Sequence, residues 1–379
     1  MVIYLTYAEP PSGVYSSQVA DVISYVNKTL NGNIRLVAFI SLHDFKASKE
    51  KIKKEMPDAV VLPAIPKAAY WKINTMLFWL VCLFLRPSAI IARNVIAANM
   101  ALKVKRYTTA HKVCFDGRGA MAAEWNEYDV KVVDSWKRSI DQLESRAVME
   151  SDFRIAVTEK LVDYWHERYG YSKGNHVVIP CTLNSSFRPR IPADDEKSTA
   201  RAAMGIDAND IVLAYSGSIA GWQSFPELYK YLGPYLKEST THKIIFLAKE
   251  EENITRLEQE FPGQVIRKWV NHQEVPVVLA ACDLGILIRE KSVTNQVASP
   301  TKFAEYLSAG LPVLISDGVG DYSDFVRKNQ CGTIANGQGI PKLTPSGYDT
   351  RAKMIELVKN NFTKEAQTDQ YKELISHLN

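Results

Sequence analysis

The stretch from Cys282 to Asp317 reads CDLGILIREKSVTNQVASPTKFAEYLSAGLPVLISD. Its short apolar runs, Leu284–Ile288 and Pro312–Ile315, have the length and composition of buried parallel strands. Between them lies a helical pattern that ends at Gly310, with apolar residues spaced three and four apart. A strand, a helix and a second strand in this order predict one βαβ unit of a doubly wound parallel sheet.

The start of that helix has the chemistry of an anion-binding site. Ser299 is predicted as the N-cap and Pro300 as the first helical residue. The backbone N–H groups of Thr301 and Lys302 then point out of the positive end of the helix dipole, beside the Lys302 ammonium, which is an arrangement that binds phosphate. One turn later, Glu305 offers a carboxylate to a vicinal diol such as a ribose. The alternative is an ordinary capped helix with a surface glutamate.

The string from Ser299 to Val313 resembles the SPxKxxEYxxxGxPV pattern of GT-B glycosyltransferases, in particular the retaining group classed as family 4. The resemblance implies that the helix N-terminus holds the diphosphate of a nucleotide-sugar donor and that Glu305 holds its ribose. Many members carry a further glutamate eight positions earlier, which contacts the donor sugar. Here that position is Val297, so the chain departs from the pattern at the sugar.

Composition sets limits on the class of protein. With 379 residues the chain is long enough for two domains, and its 46% hydrophobic and 23% charged content is globular. The net charge of +4 lacks the dense basic stripe expected of a nucleic-acid-binding protein. The five cysteines are scattered without a CxxC pair, which predicts neither a zinc site nor a disulfide framework and suits the cytoplasm. The strand-like run Val2–Tyr7 begins at once, so no signal peptide is expected.

The first half alternates strand and helix patterns, and its loops supply candidate residues. The predicted strands are Val2–Tyr7, Ile34–Ser41, Ala59–Leu62, Ser88–Arg93, Val113–Asp116 and Phe153–Thr158. Ser12 and Gly13 follow the first strand, where a loop meets the ligand crevice of a doubly wound sheet, so they are candidates for binding a phosphate or the sugar acceptor. A plain tight turn is the alternative for both.

The fifth strand ends in the segment FDGRG, from Phe115 to Gly119. Residues just past the carboxyl end of a parallel strand face the ligand crevice, and Asp116 and Arg118 offer both signs of charge there. The segment also resembles a recurrent feature of one branch of the same glycosyltransferases, which implies a catalytic role for the two residues. The alternative is a structural Asp–Arg pair that braces the turn. Glu124, a few residues further on, is a further acceptor-binding candidate.

The segment from Ala68 to Leu85 is apolar almost all round. A helix of this kind is buried in a core or lies in a membrane surface. Burial in the core is the favoured interpretation. The membrane alternative stays open because Trp71, Lys72, Trp79 and Arg86 lie within or beside the run.

The second half repeats the alternation. Residues 176–180 resemble the hinge of GT-B enzymes, and residues 188–197 are predicted as the interdomain linker. The strand Ile211–Ser216 runs into a glycine-rich turn, whose backbone amides at Gly217 and Ser218 can meet a diphosphate or the donor sugar. Many family members carry Arg and Lys in this turn where Ser218 and Gln223 stand here.

Charge compensation at the diphosphate is therefore expected from Lys302, Arg289, Lys249 or the helix dipole. Arg289, at the end of the Leu284–Ile288 strand, is the preferred substitute together with Lys302. A solvent-facing arginine is the alternative for Arg289. The resemblance also implies a contact of the loop around Val270 with the nucleobase, whereas Trp269 is expected to pack in the core.

We therefore predict two Rossmann-like doubly wound α/β domains that face a cleft, the GT-B fold. The first spans residues 1–187, with the helix 363–379 crossing back to it, and the second spans residues 198–362. The resemblance implies a hexosyl-type glycosyltransferase that acts with retention, without metal or cofactor. The expected donor is a UDP or GDP sugar, and the expected acceptor is a glycan or a polyprenyl-linked glycan in surface polysaccharide or glycoconjugate assembly. The expected location is the cytoplasm, with weak peripheral contact at the inner face of the membrane.

The candidate residues form three groups. The catalytic candidates are Arg289, Lys302, Asp116 and Arg118; the donor-binding candidates are Gly217, Ser218, Trp222, Val270, Ser299, Pro300, Thr301 and Glu305; and the acceptor-binding candidates are Ser12, Gly13 and Glu124. Two alternatives remain: a nucleotide-sugar epimerase on the same scaffold, and a non-catalytic partner that binds a nucleotide sugar or a glycan.

Overall fold

The chain divides into two compact units. A computed structural model describes residues 1–128, 134–217, 221–337, 339–342 and 347–378. Unit 1 comprises Met1–Asn184, Val297–Ser299 and Lys364–Asn379, and unit 2 comprises Ser185–Gln296 and Pro300–Thr363.

Unit 1 is built on a seven-stranded parallel sheet within its described residues. The strands are β1 (Val2–Tyr7), β2 (Ile34–Ile40), β3 (Val60–Pro63), β4 (Ala89–Arg93), β5 (Lys112–Asp116), β6 (Phe153–Ala156) and β7 (His176–Val178). The helices are α1 (Gly13–Tyr15), α2 (Asp21–Thr29), α3 (Phe45–Glu55), α4 (Trp71–Leu85), α5 (Val95–Lys105), α6 (Met121–Glu127), α7 (Asp134–Glu150), α8 (Glu159–Tyr169) and α17 (Thr368–Leu378), with a π-helix at Ser16–Ala20 and short 3₁₀ turns at Ala68–Tyr70 and Glu365–Gln367. The strand order is β3-β2-β1-β4-β5-β6-β7.

Unit 2 repeats the plan with a six-stranded sheet among its described residues. The strands are β8 (Ile211–Ser216), β9 (His242–Leu247), β10 (Val265–Lys268), β11 (Leu284–Leu287), β12 (Val313–Ser316) and β13 (Gly332–Ala335). The helices are α9 (Asp194–Ala202), α10 (Phe225–Glu238), α11 (Glu252–Glu260), α12 (Val275–Ala280), α13 (Val293–Gln296), α14 (Thr301–Ser308), α15 (Tyr322–Asn329) and α16 (Tyr348–Asn361), with 3₁₀ turns at Gly221–Gln223 and His272–Glu274. The order β10-β9-β8-β11-β12-β13 again reverses direction beside the first strand of the unit.

The strands form because their residues are apolar on both faces. All six residues of β1 are buried, as are five of the six in β8. A parallel sheet covered by helices on both sides requires such continuous apolar runs rather than alternation. The predicted pair of doubly wound α/β domains is confirmed.

The structure differs from the sequence prediction at two elements. Helix α5 was not predicted, because nine of its eleven residues are buried and its sequence therefore carries no polar stripe. The linker predicted at residues 188–197 is wrong in its second half, where α9 begins at Asp194. The carboxylate of Glu196 accepts the Ala193 backbone N–H at 2.9 Å and thereby caps this helix.

The interpretation of α4 as a buried core helix is wrong. Only 28% of the window Ala68–Leu85 is buried, although this helix is long and apolar enough to cross a membrane by length and composition. Asn74 explains the orientation, because its side chain is fully buried, where it accepts the Ile65 N–H at 2.9 Å and donates to the Tyr7 hydroxyl at 3.1 Å. Satisfying this amide turns the side of the helix that carries Asn74 inward and leaves large apolar residues on the other side exposed.

Candidate functional site

The site in unit 2 is formed where the strand order reverses, between β8 and β11. Ligands of doubly wound sheets bind beyond the carboxyl ends of the strands at such a point. The chain after β8 continues through Gly217, and the chain after β11 continues through Arg289. Lys302 reaches the same place from the first turn of α14, since a Cβ built on Gly217 would lie 3.7 Å from its Nζ.

Gly217 allows the chain to turn at this point. Its φ of +107° is a conformation that residues with a side chain rarely adopt, and its amide bonds the Leu247 carbonyl at 3.1 Å. Ser218, the next donor-binding candidate, lies outside the described residues. Trp222 lies in the following 3₁₀ turn and is half-buried.

Two cations share one neutral acceptor in this site. Gln223 presents its Oε1 atom 3.0 Å from Lys302 Nζ and 3.4 Å from Arg289 Nη2. All three side chains are buried, with Arg289 8% and Lys302 7% exposed, so the solvent-facing alternative for Arg289 is wrong. Like charges held this close by an uncharged amide raise the local positive potential, which an anion would neutralise.

Burial changes the pKa of the Lys302 side chain. Desolvation, followed by the nearby Arg289 charge, lowers the pKa of its ammonium well below the usual range, while the charge of Glu305 opposes the change. The ammonium also lies 4.2 Å from the centre of the Tyr215 ring, a cation–π contact that stabilises the charged form. A bound anion would favour that charged form further.

The start of α14 differs in detail from the prediction. The helix begins at Thr301, and Pro300 takes the N-cap position with extended backbone angles, so the prediction of Ser299 as N-cap is wrong. The Ser299 hydroxyl instead accepts the backbone N–H of Cys181 at 2.8 Å, within unit 1. The first backbone donors of the helix remain those of Thr301 and Lys302, as expected.

Glu305 sits one turn along α14 and is 9% exposed. One carboxylate oxygen accepts the Ser216 hydroxyl at 3.3 Å, and the other lies 3.5 Å from His272 Nε2. Sequence reasoning missed His272, although it stands two residues after Val270 in the loop expected to contact the nucleobase. The structure thus brings a histidine beside the proposed ribose-binding carboxylate.

The loop after β10 is also more open than expected. Val270 is half-buried, whereas Trp269 is 66% exposed, with Lys249 Nζ 5.1 Å from the centre of its ring. The expectation that Trp269 packs in the core is wrong, because β10 ends at Lys268 and the tryptophan follows it on the surface.

The candidates in unit 1 lie in a buried polar network. Asp116 is 1% exposed and is contacted by the Tyr4 hydroxyl, by Arg93 at 3.5 Å and by Arg118 at 3.3 Å. Arg118 also donates to Gln18 Oε1 at 3.0 Å. These contacts fit the structural alternative, in which the pair braces the turn.

The acceptor-binding candidates are dispersed over unit 1. Ser12 caps the short helix α1, which starts at Gly13, by accepting the Tyr15 N–H at 3.2 Å, as its tight-turn alternative requires. Glu124 lies on α6 and is half-buried, and desolvation raises the pKa of its carboxyl.

Sequence reasoning missed an ion pair at the switch point of unit 1. Arg93 ends β4 and is 5% exposed, and its Nε donates to Glu9 at 2.7 Å. The Asn94 side chain donates to the same carboxylate at 3.0 Å. The sequence contained a signal for this pair. Glu9 follows one predicted strand and Arg93 ends another, and these two strands are neighbours where the strand order of the sheet reverses. Among the residues that the structure describes, no group of three or more His, Cys, Asp or Glu side chains is placed to hold a metal ion.

The fold and the two switch points define the class: the chain has the GT-B fold. The structure of the Anabaena protein HepE in complex with UDP and glucose matches with a TM-score of 0.73 and 14% identity over 99% of both chains. Sucrose-phosphate synthase from Thermosynechococcus elongatus matches with a TM-score of 0.71 and 13% identity, over all of this chain and 98% of the other.

Sequence comparison adds one relative. The chitobiosyldiphosphodolichol beta-mannosyltransferase of Candida albicans is 24% identical over 255 residues, which is 64% of this chain and 51% of that protein. The chain thus aligns with about half the length of this curated relative. No family model matches the chain.

Proposed function

We propose that the protein is a glycosyltransferase that moves a sugar from a nucleoside-diphosphate donor to a glycan or lipid-linked acceptor. The observation that carries the proposal is the pair of buried cations, Lys302 and Arg289, on one neutral amide oxygen at the unit 2 switch point. The sequence similarity to a mannosyltransferase and the GT-B fold support it.

The donor diphosphate binds at the N-terminus of α14. The N–H groups of Thr301 and Lys302 donate to its oxygens, and the two cations balance its charge. Glu305 accepts the hydroxyls of the ribose, with His272 beside it at 3.5 Å. Val270 and its loop lie towards the base.

The reaction breaks the bond between the sugar and the phosphate. Negative charge grows on the diphosphate as the bond breaks, so fixed positive groups lower the barrier most if they face the leaving oxygen. Lys302 and Arg289 supply these charges in the absence of the arginine and lysine that Ser218 and Gln223 replace. We extend the proposal to retention of configuration and to metal-independent transfer of a hexosyl group.

Unit 1 supplies the acceptor side in this proposal. The Asp116–Arg118 pair holds the turn after β5 in place, and Ser12, Gly13 and Glu124 present groups to the acceptor. A cytoplasmic site of action at a lipid-linked acceptor is part of the proposal, and surface polysaccharide or glycoconjugate assembly is its context.

A donor panel tests the proposal. The protein is incubated with UDP and GDP sugars together with candidate acceptors, and free nucleoside diphosphate, product and anomeric configuration are measured. Transfer predicts release of nucleoside diphosphate that depends on the acceptor and falls in Arg289→Gln. A matched surface variant, Arg256→Gln on α11, should retain full activity.

Two other outcomes would replace the proposal. A donor that changes configuration at a sugar carbon other than the anomeric one would show an epimerase, for which His272 beside Glu305 offers an acid–base pair. Binding of the donor without turnover would show a non-catalytic partner. We place transfer first because the sequence relative is a transferase.

A further inference from the structure

Helix α4 exposes a row of large apolar residues. Its buried side combines the polar Asn74 and Thr75 with Trp71, Phe78 and Cys82. The opposite side, called here the α4 face, consists of Ile73, Met76, Leu80, Leu83 and Phe84, which are 43–87% exposed. A helix that packs on a domain from water normally has a polar outer face instead. A contiguous exposed patch of large apolar side chains marks a surface that is covered by something else.

The stretch of sequence that contains α4 carries charge of one sign. From Ala59 to Phe115 the sequence contains eight Lys and Arg residues and no Asp or Glu. The exposed cations in this stretch are Lys67, Lys72, Arg86 and Arg106. Lys67 and Lys72 lie just before and within the first turn of α4, and Arg86 follows its last residue. Positive charge thus borders the apolar face at both ends of the helix.

Aromatic side chains of interfacial type lie in the same region. The Trp79 indole N–H donates to the Tyr107 backbone carbonyl at 3.3 Å, so the turn after α5 sits beside α4. Trp79 is 36% and Tyr107 is 71% exposed. Tryptophan and tyrosine are enriched where hydrocarbon meets lipid headgroups, because their rings are apolar and their edges are polar.

We propose that the α4 face docks onto the surface of an anionic lipid bilayer. The apolar side chains enter the acyl boundary, Trp79 and Tyr107 lie at headgroup depth, and the exposed lysines and arginines meet anionic headgroups. The uniform positive charge selects this occupant over a second copy of the chain, because two such faces would repel each other. The helix lies on the membrane rather than crossing it, since its buried side is bonded to unit 1 through Asn74. This inference does not depend on the transferase activity.

Vesicle flotation tests the apolar part of the proposal. The probes are vesicles of phosphatidylglycerol mixed with phosphatidylcholine, and vesicles of phosphatidylcholine alone. We expect the wild type to float with the anionic vesicles at low salt, with much weaker flotation at high salt. Leu80→Glu and Phe84→Glu should remain with the unbound protein, with unchanged melting temperature because both positions are solvent-exposed. Val277→Glu on α12 makes the same change at a residue 62% exposed in unit 2, so it should float as the wild type does.

The charge part has its own matched pair. Each basic residue near an anionic surface contributes a factor of about five in binding, so Lys67→Gln with Lys72→Gln should weaken binding about 25-fold. Lys328→Gln with Lys353→Gln removes the same charge from exposed sites in unit 2 and should change binding little. Failure of the wild type to float, or equal losses in the two double variants, would overturn the proposal. So would a wild-type dimer that Phe84→Glu dissociates without any vesicle binding, or attachment that resists an alkaline carbonate wash.

Discussion

At the scale of single residues, Gln223 leaves the positive charge of the candidate site uncompensated. Its one amide oxygen accepts from both buried cations, at 3.0 and 3.4 Å. A neutral acceptor satisfies their donors without cancelling their charge, so the positive potential remains available to a diphosphate. A carboxylate would satisfy the same donors and remove that potential, because it carries the compensating charge itself.

Substitutions of Gln223 should therefore separate stability from binding. Gln223→Glu should raise stability and weaken nucleoside-diphosphate binding at least tenfold. Gln223→Lys places a third cation against the two and removes their acceptor, which should lower the free energy of unfolding by about 1–3 kcal/mol. Urea unfolding and calorimetric titration measure the two quantities. Parallel changes in both quantities would show that Gln223 acts only as a packing residue.

The neutral amine form of Lys302 should take up a proton when a diphosphate binds. Burial lowers its pKa in the free protein, and a bound anion raises it again. Binding should therefore strengthen as the pH falls from the ordinary lysine pKa towards the lowered one, and level off below it. Calorimetry in two buffers of different ionisation enthalpy measures the uptake. Lys302→Met should abolish it, whereas Lys249→Met should not; equal uptake in both would place the titrating group elsewhere.

Sequence reasoning reached part of this site at the residue scale. Arg289 and Lys302 were identified from their places after a strand and at a helix start, which are local features. The contact of Gln223 with Lys302 spans 79 positions of sequence, and that of His272 with Glu305 depends on how a loop folds back. Such contacts are set by tertiary packing, which local patterns do not record.

At the scale of elements, α14 packs against β11 through one close contact. A Cβ on Gly285 would lie 2.3 Å from the Tyr306 ring, so only glycine lets this helix approach the strand. The Tyr306 hydroxyl then accepts the Ser216 N–H at 2.9 Å and donates to the Ile286 carbonyl at 3.2 Å. The helix that carries Lys302 and Glu305 is thereby fixed to two strands beside the switch point.

Gly285→Ala should disturb the packing of α14 against β11. Overpacking of a core typically costs about 1–3 kcal/mol, and we expect a loss of stability in that range together with weaker diphosphate binding, as α14 shifts. Gly233→Ala on α10 is the matched control, since its Cβ would be 3.6 Å from the nearest atom and helix propensity favours alanine. Denaturant unfolding measures both variants. A stable Gly285→Ala protein would mean that α14 is seated by other contacts.

Helix α6 is held by a buried carboxylate on α7. Glu144 accepts the N–H groups of Met121 and Ala122 at 3.1 and 2.9 Å, and the Tyr169 hydroxyl at 3.0 Å. Desolvation raises the pKa of Glu144 to about 7. The Glu144 carboxyl, which caps α6, thus becomes charged near neutral pH at a position isolated from water.

Glu144 should make stability depend on pH. A raised folded-state pKa means that the folded protein binds the Glu144 proton more tightly than the unfolded chain does. The stabilisation of the fold by this proton is therefore fully present below the unfolded-state pKa, and it is lost as the pH rises through about 7. The loss is at most about 3 kcal/mol between these values. Urea unfolding of Glu144→Gln, which does not titrate, should show a flatter profile there. An unchanged profile would assign the dependence to another group.

Two helices show which features of a helix can be predicted from the periodicity of its apolar residues and which cannot. Helix α5 is buried nearly all round, so it lacks the stripe by which an amphipathic helix is recognised. Helix α4 is apolar all round, and its sequence does not say which side faces the protein. Its orientation follows from the hydrogen bonds of Asn74 to Tyr7 and Ile65, residues of other segments.

At the scale of the whole molecule, the same architecture occurs twice. Both sheets are parallel throughout their described pairings and reverse their strand order beside the first strand of the unit. This level was predictable from sequence, because buried parallel strands leave short apolar runs such as Val2–Tyr7 and Ile211–Ser216, separated by helix patterns. The function proposed above rests on residues at the two reversal points, which the architecture positions but does not choose.

The central claim is that unit 2 binds the diphosphate and ribose of a nucleotide at α14. Calorimetric titration with UDP and with GDP tests it most directly, on the wild type, Lys302→Met, Glu305→Ala and the control Glu356→Ala, at an exposed position of α16. We predict that at least one of the two nucleotides binds with one site per chain. Glu305→Ala should weaken binding by about 1–3 kcal/mol, the range for loss of a charged hydrogen-bond partner, and the control should leave it unchanged. Absence of binding to the wild type, or wild-type affinity in the folded Lys302→Met and Glu305→Ala proteins, would contradict the claim.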